Sequence, residues 1–304
     1  MNTQFYAFGE ILWDCLPAER HAGGAPFNVA AHLAQLGASS ALISAVGADD
    51  LGDEILQIAR DKGVGTEFVR RTSELATGTV KVTLDAASNA SYEIVEPVAW
   101  DQIEVSSAAL DAVASARGLI FGSLAGRSVF NLTQLEKLLD VAGPTKFFDV
   151  NLRAPYDDAP LVLRLARRAD VVKLNDVELG RLASRIQSGK ETPQLPQSDA
   201  QIAECCATLA QATGTTCVCV TRGAAGAALW DGGNLTTAAA PSVAVKDTVG
   251  AGDAFMAALM RGLTRGDASE VALTRACELG AYVASRAGAI PLLPQELVAR
   301  FEMA

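Results

Sequence analysis

The sequence predicts an α/β protein: a mostly parallel sheet between two layers of helices, with a small β lid added. Three observations carry this expectation. Short apolar runs alternate with helical patterns along almost all of the 304 residues. The runs are rich in Val, Ile and Phe and are scarcely interrupted by polar residues, as strands buried on both faces require. One stretch, Gly78–Glu96, breaks the rhythm with strict alternation around a polar turn.

In chain order, "FYAFGEILWD" reads as the first strand. In "HAGGAPFNVAAHLAQLG" (His21–Gly37), Gly23 and Gly24 permit a tight turn, Pro26 suits a helix start, and a helix is expected over Phe27–Leu36. "SALISAV" is a strand and Asp50–Lys62 a helix. In Gly78–Glu96, Val80, Val82 and Leu84 share one face, Thr79, Lys81, Thr83 and Asp85 the other, and "AASNAS" has turn chemistry. A lone hairpin is marginal, so its apolar face must cover the body, a ligand or a second copy. It reads as a lid; the plainer alternative is an edge hairpin.

"GLIFG", "KFFDVN", "VVKLN", "CVCVT" and "GAALW" are further strands, with helices over Ser128–Val141, Ala159–Arg168 and Ala200–Ala212. Ser128 and Asp199 stand where N-caps belong. Ser184–Ala200, polar and Pro-containing, reads as a surface loop. "SVAVKD" reads as the last strand, before helices over Ala254–Thr264 and Glu270–Ala287. With no internal repeat and no linker, residues 1–304 are taken as one domain with a lid at about 78–96. A strand near residues 10–16 can contribute to that lid.

Half of the residues are hydrophobic and 20% are charged, an ordinary globular composition. A formal net charge of −10 argues against nucleic acid as a partner. A small phosphate ligand would need local devices: helix N-termini, backbone N–H groups and a metal ion. No apolar run reaches the roughly 18–20 residues of a membrane span, and "MNTQFYAFGEILWDCL" has no signal-peptide pattern, so a cytoplasmic protein is expected. The six cysteines (15, 205, 206, 217, 219 and 277) form no C-x-x-C pair and read as reduced core thiols. Of the two histidines, His32 lies in a helical pattern and reads as a surface or packing residue.

Three constellations could carry chemistry. In "DTVGAGDAF" (Asp247–Phe255), Gly250, Ala251 and Gly252 leave the backbone bare where a helix starts, which favours an anion. Asp253 in the first turn either caps that helix or receives a proton from an attacking hydroxyl beside the anion. Asn28 offers a donor and an acceptor near the Gly23–Gly24 turn, which either binds a polyol or only caps a loop. Asp14 closes the first strand and can accept sugar hydroxyls, or is a solvated strand end. The chain contains no G-x-x-x-x-G-K-[ST], no kinase H-R-D or D-F-G set, and no G-x-G-x-x-G after its first strand.

Together "GGAPFNVAAHLAQLG" and "DTVGAGDAF" resemble the N- and C-terminal signatures of the PfkB/ribokinase-like carbohydrate kinases. The resemblance spans essentially the whole chain and implies a ribokinase-like fold with MgATP-dependent phosphorylation of a sugar hydroxyl. It implies Asp253 as base and Gly250, Ala251 and Gly252 as anion hole. Asp14, Gly24 and Asn28 would contact the sugar. "KLNDVEL" is similar to the N-x-x-E element, which makes Asn175 and Glu178 candidates for the magnesium and phosphate region. Thr221, Gly223 and Gly226 match the nucleotide turn. Asp247 matches a carboxylate that supports a potassium site, with "SRAGA" (Ser285–Ala289) as its other wall. Cys277 falls where many members have an Asn near the adenine, a departure from the pattern.

"FGEILWDCLP" and "FDVNLR" look like the fructokinase and 2-keto-3-deoxygluconate kinase branches, and fructose is the expected substrate. The alternatives are 2-keto-3-deoxygluconate, another sugar or a nucleoside, or a non-catalytic binder on the same scaffold. Arg153 would suit an acid sugar, or only pair with a neighbouring carboxylate or a phosphate. Trp100 would reach the sugar or only pack. A monomer, or a homodimer clasped through the lid, is expected.

Overall fold

A computed structural model describes residues 4–16, 19–84, 90–190 and 195–302. Among them, nine strands form one sheet in the order β13-β12-β11-β10-β9-β8-β1-β4-β5. These are β1 (Phe5–Phe8), β4 (Ser40–Gly47), β5 (Val64–Thr72), β8 (Gly118–Gly122), β9 (Thr145–Asp149), β10 (Val171–Asn175), β11 (Cys217–Thr221), β12 (Ala227–Asp231) and β13 (Asn234–Ala238). All pairings are parallel except β11 with β12 and β12 with β13. A second sheet has the order β3-β2-β6-β7, from β2 (Leu12–Cys15), β3 (Arg20–Gly23), β6 (Gly78–Leu84) and β7 (Ala90–Ile94).

Helices α1 (Ala25–Gln35), α2 (Asp50–Asp61), α8 (Ala251–Arg265) and α9 (Ser269–Ala284) cover one face of the large sheet. Helices α3 (Ser107–Ala114), α4 (Val129–Leu139), α5 (Ala159–Ala166), α6 (Asp176–Ser188) and α7 (Asp199–Thr213) cover the other. Helix α10 (Gln295–Glu302) packs Phe301 beside α8 and α9. The period of two is visible inside β1, where Phe5 and Ala7 join one core and Tyr6 and Phe8 the other. This is the three-layer architecture expected from the alternating pattern.

Several elements differ from the expectation. "FYAFGEILWD" is two strands in two sheets. The break is Gly9, at φ +145, where a Cβ would lie 2.7 Å from Pro26 Cγ. Asp14 is therefore on β2 in the small sheet, not at the end of a central strand. The expected hairpin is part of a four-stranded sheet, because β2 pairs in parallel with β6. Val80 is buried and Lys81 exposed, as the alternation requires. Residues 85–89 of the expected turn, and the side chains of Val82 and Leu84, lie outside the described residues.

"SVAVKD" is not a strand: residues 242–247 carry no ladder, and Val243 and Val245 face solvent. Ser184–Ser188 completes α6 rather than opening a loop, and α7 begins at Asp199. Ser198, not Asp199, caps α7, its hydroxyl accepting from Gln201 N. Strands β3, β5 and β13 and helices α3, α6 and α10 are not expected from the sequence; β5 ("VGTEFVRRT") is too polar to stand out.

The small sheet is fastened at both stems. Where the chain enters β6, Asp49 accepts from Thr77 N at 2.9 Å and Thr77 Oγ1 at 2.6 Å. Where it leaves β7, the buried Arg127 donates to Val95 O at 3.0 Å and pairs with Asp101 through two bonds, of 2.7 and 2.8 Å. Its guanidinium lies 3.8 Å from the ring centroid of Trp100. Trp100 is wholly buried and packs so closely on Gly78 that a Cβ there would meet its Nε1 at 2.3 Å. Trp100 is thus part of the stem and has no surface to offer a sugar, which corrects that expectation.

Candidate active site

The first turn of α8 is built to leave amides open. Gly250 caps the helix at φ +77, and the first i→i−4 bond runs from Ala254 N to Gly250 O at 2.9 Å. The N–H groups of Gly252 and Asp253 precede that bond and have no partner within the helix. Ala251 differs from its neighbours: its N–H turns back to Thr248 O at 3.3 Å. The positive end of the helix dipole adds to the attraction for an anion here.

Asp253 is buried at this helix start, and Asn28 Nδ2 donates to its Oδ2 at 2.7 Å. The bond spans 225 residues and joins α1 to α8. Asn28 Oδ1 is buried without a partner, so an acceptor remains for a ligand hydroxyl. Burial and the charge of Asp149 push Asp253 from 3.8 up to about 6, against the downward pull of Asn28, Lys173 and Arg153. A carboxylate with that value is a better proton acceptor than an ordinary aspartate.

Gly23, ending β3, and Gly24, before α1, approach the Asp14 carboxylate and the Glu10 backbone. A Cβ on Gly24, at φ +109, would lie 2.4 Å from Glu10 O, and one on Gly23 would lie 2.4 Å from Asp14 Oδ2. Asp14 is raised by burial, with His21 and Arg153 pulling it down. Arg153 is exposed and donates to the carbonyl of the preceding Leu152, at 3.0 Å. Its charge reaches Glu10, Asp14 and Asp253. The structure thus brings Asp14, Gly24, Asn28, Arg153 and Asp253 to one region.

The nucleotide candidates gather at the ends of β10 and β11 and in the turn that follows. Asn175 and Thr221 are register partners at the carboxyl ends of β10 and β11. After Thr221 a tight turn closes, with Gly226 N on Gly223 O at 3.1 Å and Arg222 N on Gly226 O at 2.8 Å. Gly226, at φ +89, has Ala238 O where a Cβ would be, 2.0 Å away. The buried Cys277 Sγ contacts the same Ala238 O at 3.9 Å. Burial pushes Cys277 up to about 11, so it serves as packing and not as a reactive thiol.

Glu178 is committed to structure: one carboxylate oxygen accepts from Asn175 N at 2.8 Å, the other from Leu152 N at 2.8 Å. With Asn175, Val177, Leu152 and Arg181 it lines a hollow of about 380 Å³. Asp247 likewise bridges two loops, accepting from Val249 N and Gly288 N at 3.0 Å each.

Sequence reasoning missed three site residues. Lys173 donates to both oxygens of Asp149, at 2.9 and 2.8 Å, and the pair is buried. Lys173 Nζ lies 3.3 Å from the position a Cβ on Gly252 would take, so an ammonium backs the anion site. A Lys inside the apolar run "VVKLN" was the available cue. The third residue is Glu10, whose Oε1 accepts from Ala25 N at 3.3 Å while Oε2 is buried without a partner.

Burial pushes Glu10 from 4.5 up to about 7, with its own and Ala25's N–H bonds pulling it down. Its folded value exceeds its unfolded one, so its contribution is fully present below pH 4.5 and is lost as pH rises through about 7. Glu10→Gln lacks this loss. Relative to wild type it should gain about 3 kcal/mol of stability from pH 4 to pH 8, read by urea unfolding at each pH. A difference that does not vary with pH would refute the buried-acid reading.

A family model, pfkB family carbohydrate kinase, matches residues 4–296. The chain is 31% identical to the fructokinase of Escherichia coli over 98% of this chain and 99% of that one. It superposes on a fructokinase with bound ATP from Xylella fastidiosa with a TM-score of 0.82 at 23% identity, over 99% of this chain and 98% of the other. It also superposes on a double mutant of the fructokinase of Vibrio cholerae, bound to fructose, ADP and potassium ion. That TM-score is 0.77 at 25% identity, over 98% of both chains. With 293 of its residues under one family model and two distant signatures converging on Asp253, the chain belongs to the pfkB family of carbohydrate kinases.

Proposed function

We propose that the chain transfers the γ-phosphoryl group of ATP to a primary hydroxyl of a sugar, fructose in the first instance. The observation that carries this reading is Asp253 held by Asn28 beside the open amides of Gly252 and Asp253. The sugar hydroxyl gives its proton to Asp253 as its oxygen bonds to phosphorus, and the bond from phosphorus to the bridging oxygen of ADP breaks. Asp253 orients the nucleophile, and the open amides with Lys173 behind them offset charge on the transferred group. Asp14, Gly24 and Asn28 hold the sugar; Thr221, Gly223 and Gly226 turn around the nucleotide. The small sheet covers the sugar side and excludes water that would otherwise hydrolyse ATP.

Magnesium fits as an ion that arrives with the nucleotide. Among the described residues no three His, Cys, Asp or Glu side chains gather to hold a metal, and magnesium needs only one or two carboxylates besides phosphates. Asn175 and Glu178 would stand nearest to it, and magnesium would neutralise phosphate charge. A potassium ion would be held by backbone that Asp247 braces, not by its engaged carboxylate.

Fructose is favoured by the full-length likeness to a fructokinase. Arg153 favours a second substrate, 2-keto-3-deoxygluconate, because it is an exposed cation within electrostatic reach of the sugar-side acids. ADP release with MgATP and a panel of sugars and nucleosides decides between them. Fructose should give the highest kcat/KM. A higher value for 2-keto-3-deoxygluconate, lost in Arg153→Ala, would transfer the assignment; no turnover with any acceptor would leave a binding protein on a kinase scaffold.

A further inference from the structure

Helix α1 presents three polar side chains on one face, Asn28, His32 and Gln35, at i, i+4 and i+7. Asn28 holds Asp253. The other two hold Ala289–Leu293, a stretch between α9 and α10 without regular structure. His32 Nε2 lies 2.9 Å from Ala289 O. Gln35 donates to Pro291 O at 3.2 Å and accepts from Leu293 N at 2.9 Å. Lys62, at the end of α2, donates to Ile290 O at 3.4 Å.

A carbonyl oxygen only accepts, so His32 carries its proton on Nε2. Nδ1 is then a bare acceptor, and it is buried with no partner. Burial holds the ring down at about 4, so it stays neutral at the pH of the reaction. A leucine would fill this space without an orphaned nitrogen. What the imidazole adds is one N–H on one carbonyl.

That carbonyl belongs to the wall of the anion site. A Cβ on Gly250 would lie 2.4 Å from Ala289 O and 2.6 Å from Ala289 Cα, so cap and wall are in direct contact. One residue earlier, Gly288 N donates to Asp247, whose other oxygen takes Val249 N. Residues 288 and 289 therefore touch Asp247 and Gly250, at the two ends of the loop that leads into α8.

We propose that His32 is a positioning residue for phosphoryl transfer: its N–H on Ala289 fixes the wall on which Gly250 and the open amides of α8 rest. Helix α1 then sets both halves of the reaction geometry, the base through Asn28 and the anion hole through His32. The kinetic part of this inference rests on the kinase reading; the structural part does not.

The test compares His32→Leu, which removes the donor, with His32→Gln, which restores an N–H of similar reach. Ser40→Ala is the comparator, since Ser40 donates to Ala30 O of the same helix at 2.7 Å and touches none of the 288–293 stretch. His32→Leu should lower kcat at saturating sugar and ATP by ~10-fold or more, because small misplacements of reacting groups are costly in rate. Its sugar KM should stay within about twofold, since the loss falls on the transition state. His32→Gln should recover most of the rate, and Ser40→Ala should lower the melting temperature with kcat unchanged. Hydrogen exchange at amides 250–253 and 286–290 should quicken in His32→Leu but not in His32→Gln.

An unchanged kcat in a folded His32→Leu, or equal losses in the Leu and Gln variants, overturns the proposal. If His32→Leu does not fold, Gln35→Leu, which removes two bonds to the same stretch from a half-buried position, must reproduce the kcat loss. If the wild-type chain turns over no acceptor, the kinase reading has failed separately, and unchanged exchange at those amides still overturns the structural claim.

Discussion

Asp253→Asn is expected to lower kcat by about 10²–10⁴-fold, the usual worth of a positioned proton acceptor. The substitution keeps the side-chain shape and an oxygen to accept from Asn28, so α1 and α8 remain joined. Binding of an ATP analogue, followed by calorimetry, should be nearly unaltered. The wild-type pH profile provides a second readout. Asp253 must be ionised to take a proton, and its value stands at about 6 in the free protein. The profile of kcat/KM should therefore bend near 6 and fall as pH drops below it, and the residual activity of the variant should lack that bend. A variant retaining a tenth or more of wild-type kcat would remove Asp253 from the role of base.

Lys173→Met tests the ammonium behind the anion site. Asp149 would be left buried without its partner, and breaking a buried pair in this way costs about 3–5 kcal/mol of stability. Lys173 also draws the Asp253 value down while Asp149 raises it. Removing the lysine should move the acid limb of kcat/KM upward. The double variant Lys173→Met, Asp149→Leu should recover most of the stability, since a well-packed apolar pair is often no worse than a buried ion pair. It should not recover the rate if the ammonium serves the transferred phosphoryl group. Full recovery of both would make the pair a purely structural feature.

The central strands of the large sheet are legible because they are buried on both faces and write themselves as apolar runs, such as "SALISAV" and "GLIFG", whereas its edge strands β5 and β13 are half-exposed and too polar to stand out. The small sheet was only half legible. Its β6 and β7 alternate visibly, but β2 is the continuation of an apolar run that a single glycine, Gly9, bends into another sheet. Asp253, Asn28 and Gly24 stood out through their local chemistry. Asp149 with Lys173, and His32 with Ala289, depend on strand register and helix packing between distant segments, which no single stretch displays. Of the two readings open for Trp100 the structure supports packing, and nothing near it in sequence announces Arg127 stacked on its ring.

The division of the proposed sugar side between the small sheet and the main body has a mechanical consequence. Asp14 rides on the small sheet, while Asn28 and Asp253 belong to the main body. The stems of the small sheet are tied to the body by Asp49 and by Arg127. We expect it to flex as a braced cantilever, with Asp14 as the point where load is applied. A sugar that bridges Asp14 and Asp253 would bend the sheet inward with its own binding energy. If Asp14 holds a sugar hydroxyl as proposed, an analogue lacking that hydroxyl should lose turnover as well as affinity, because it has nothing to pull the cover down with.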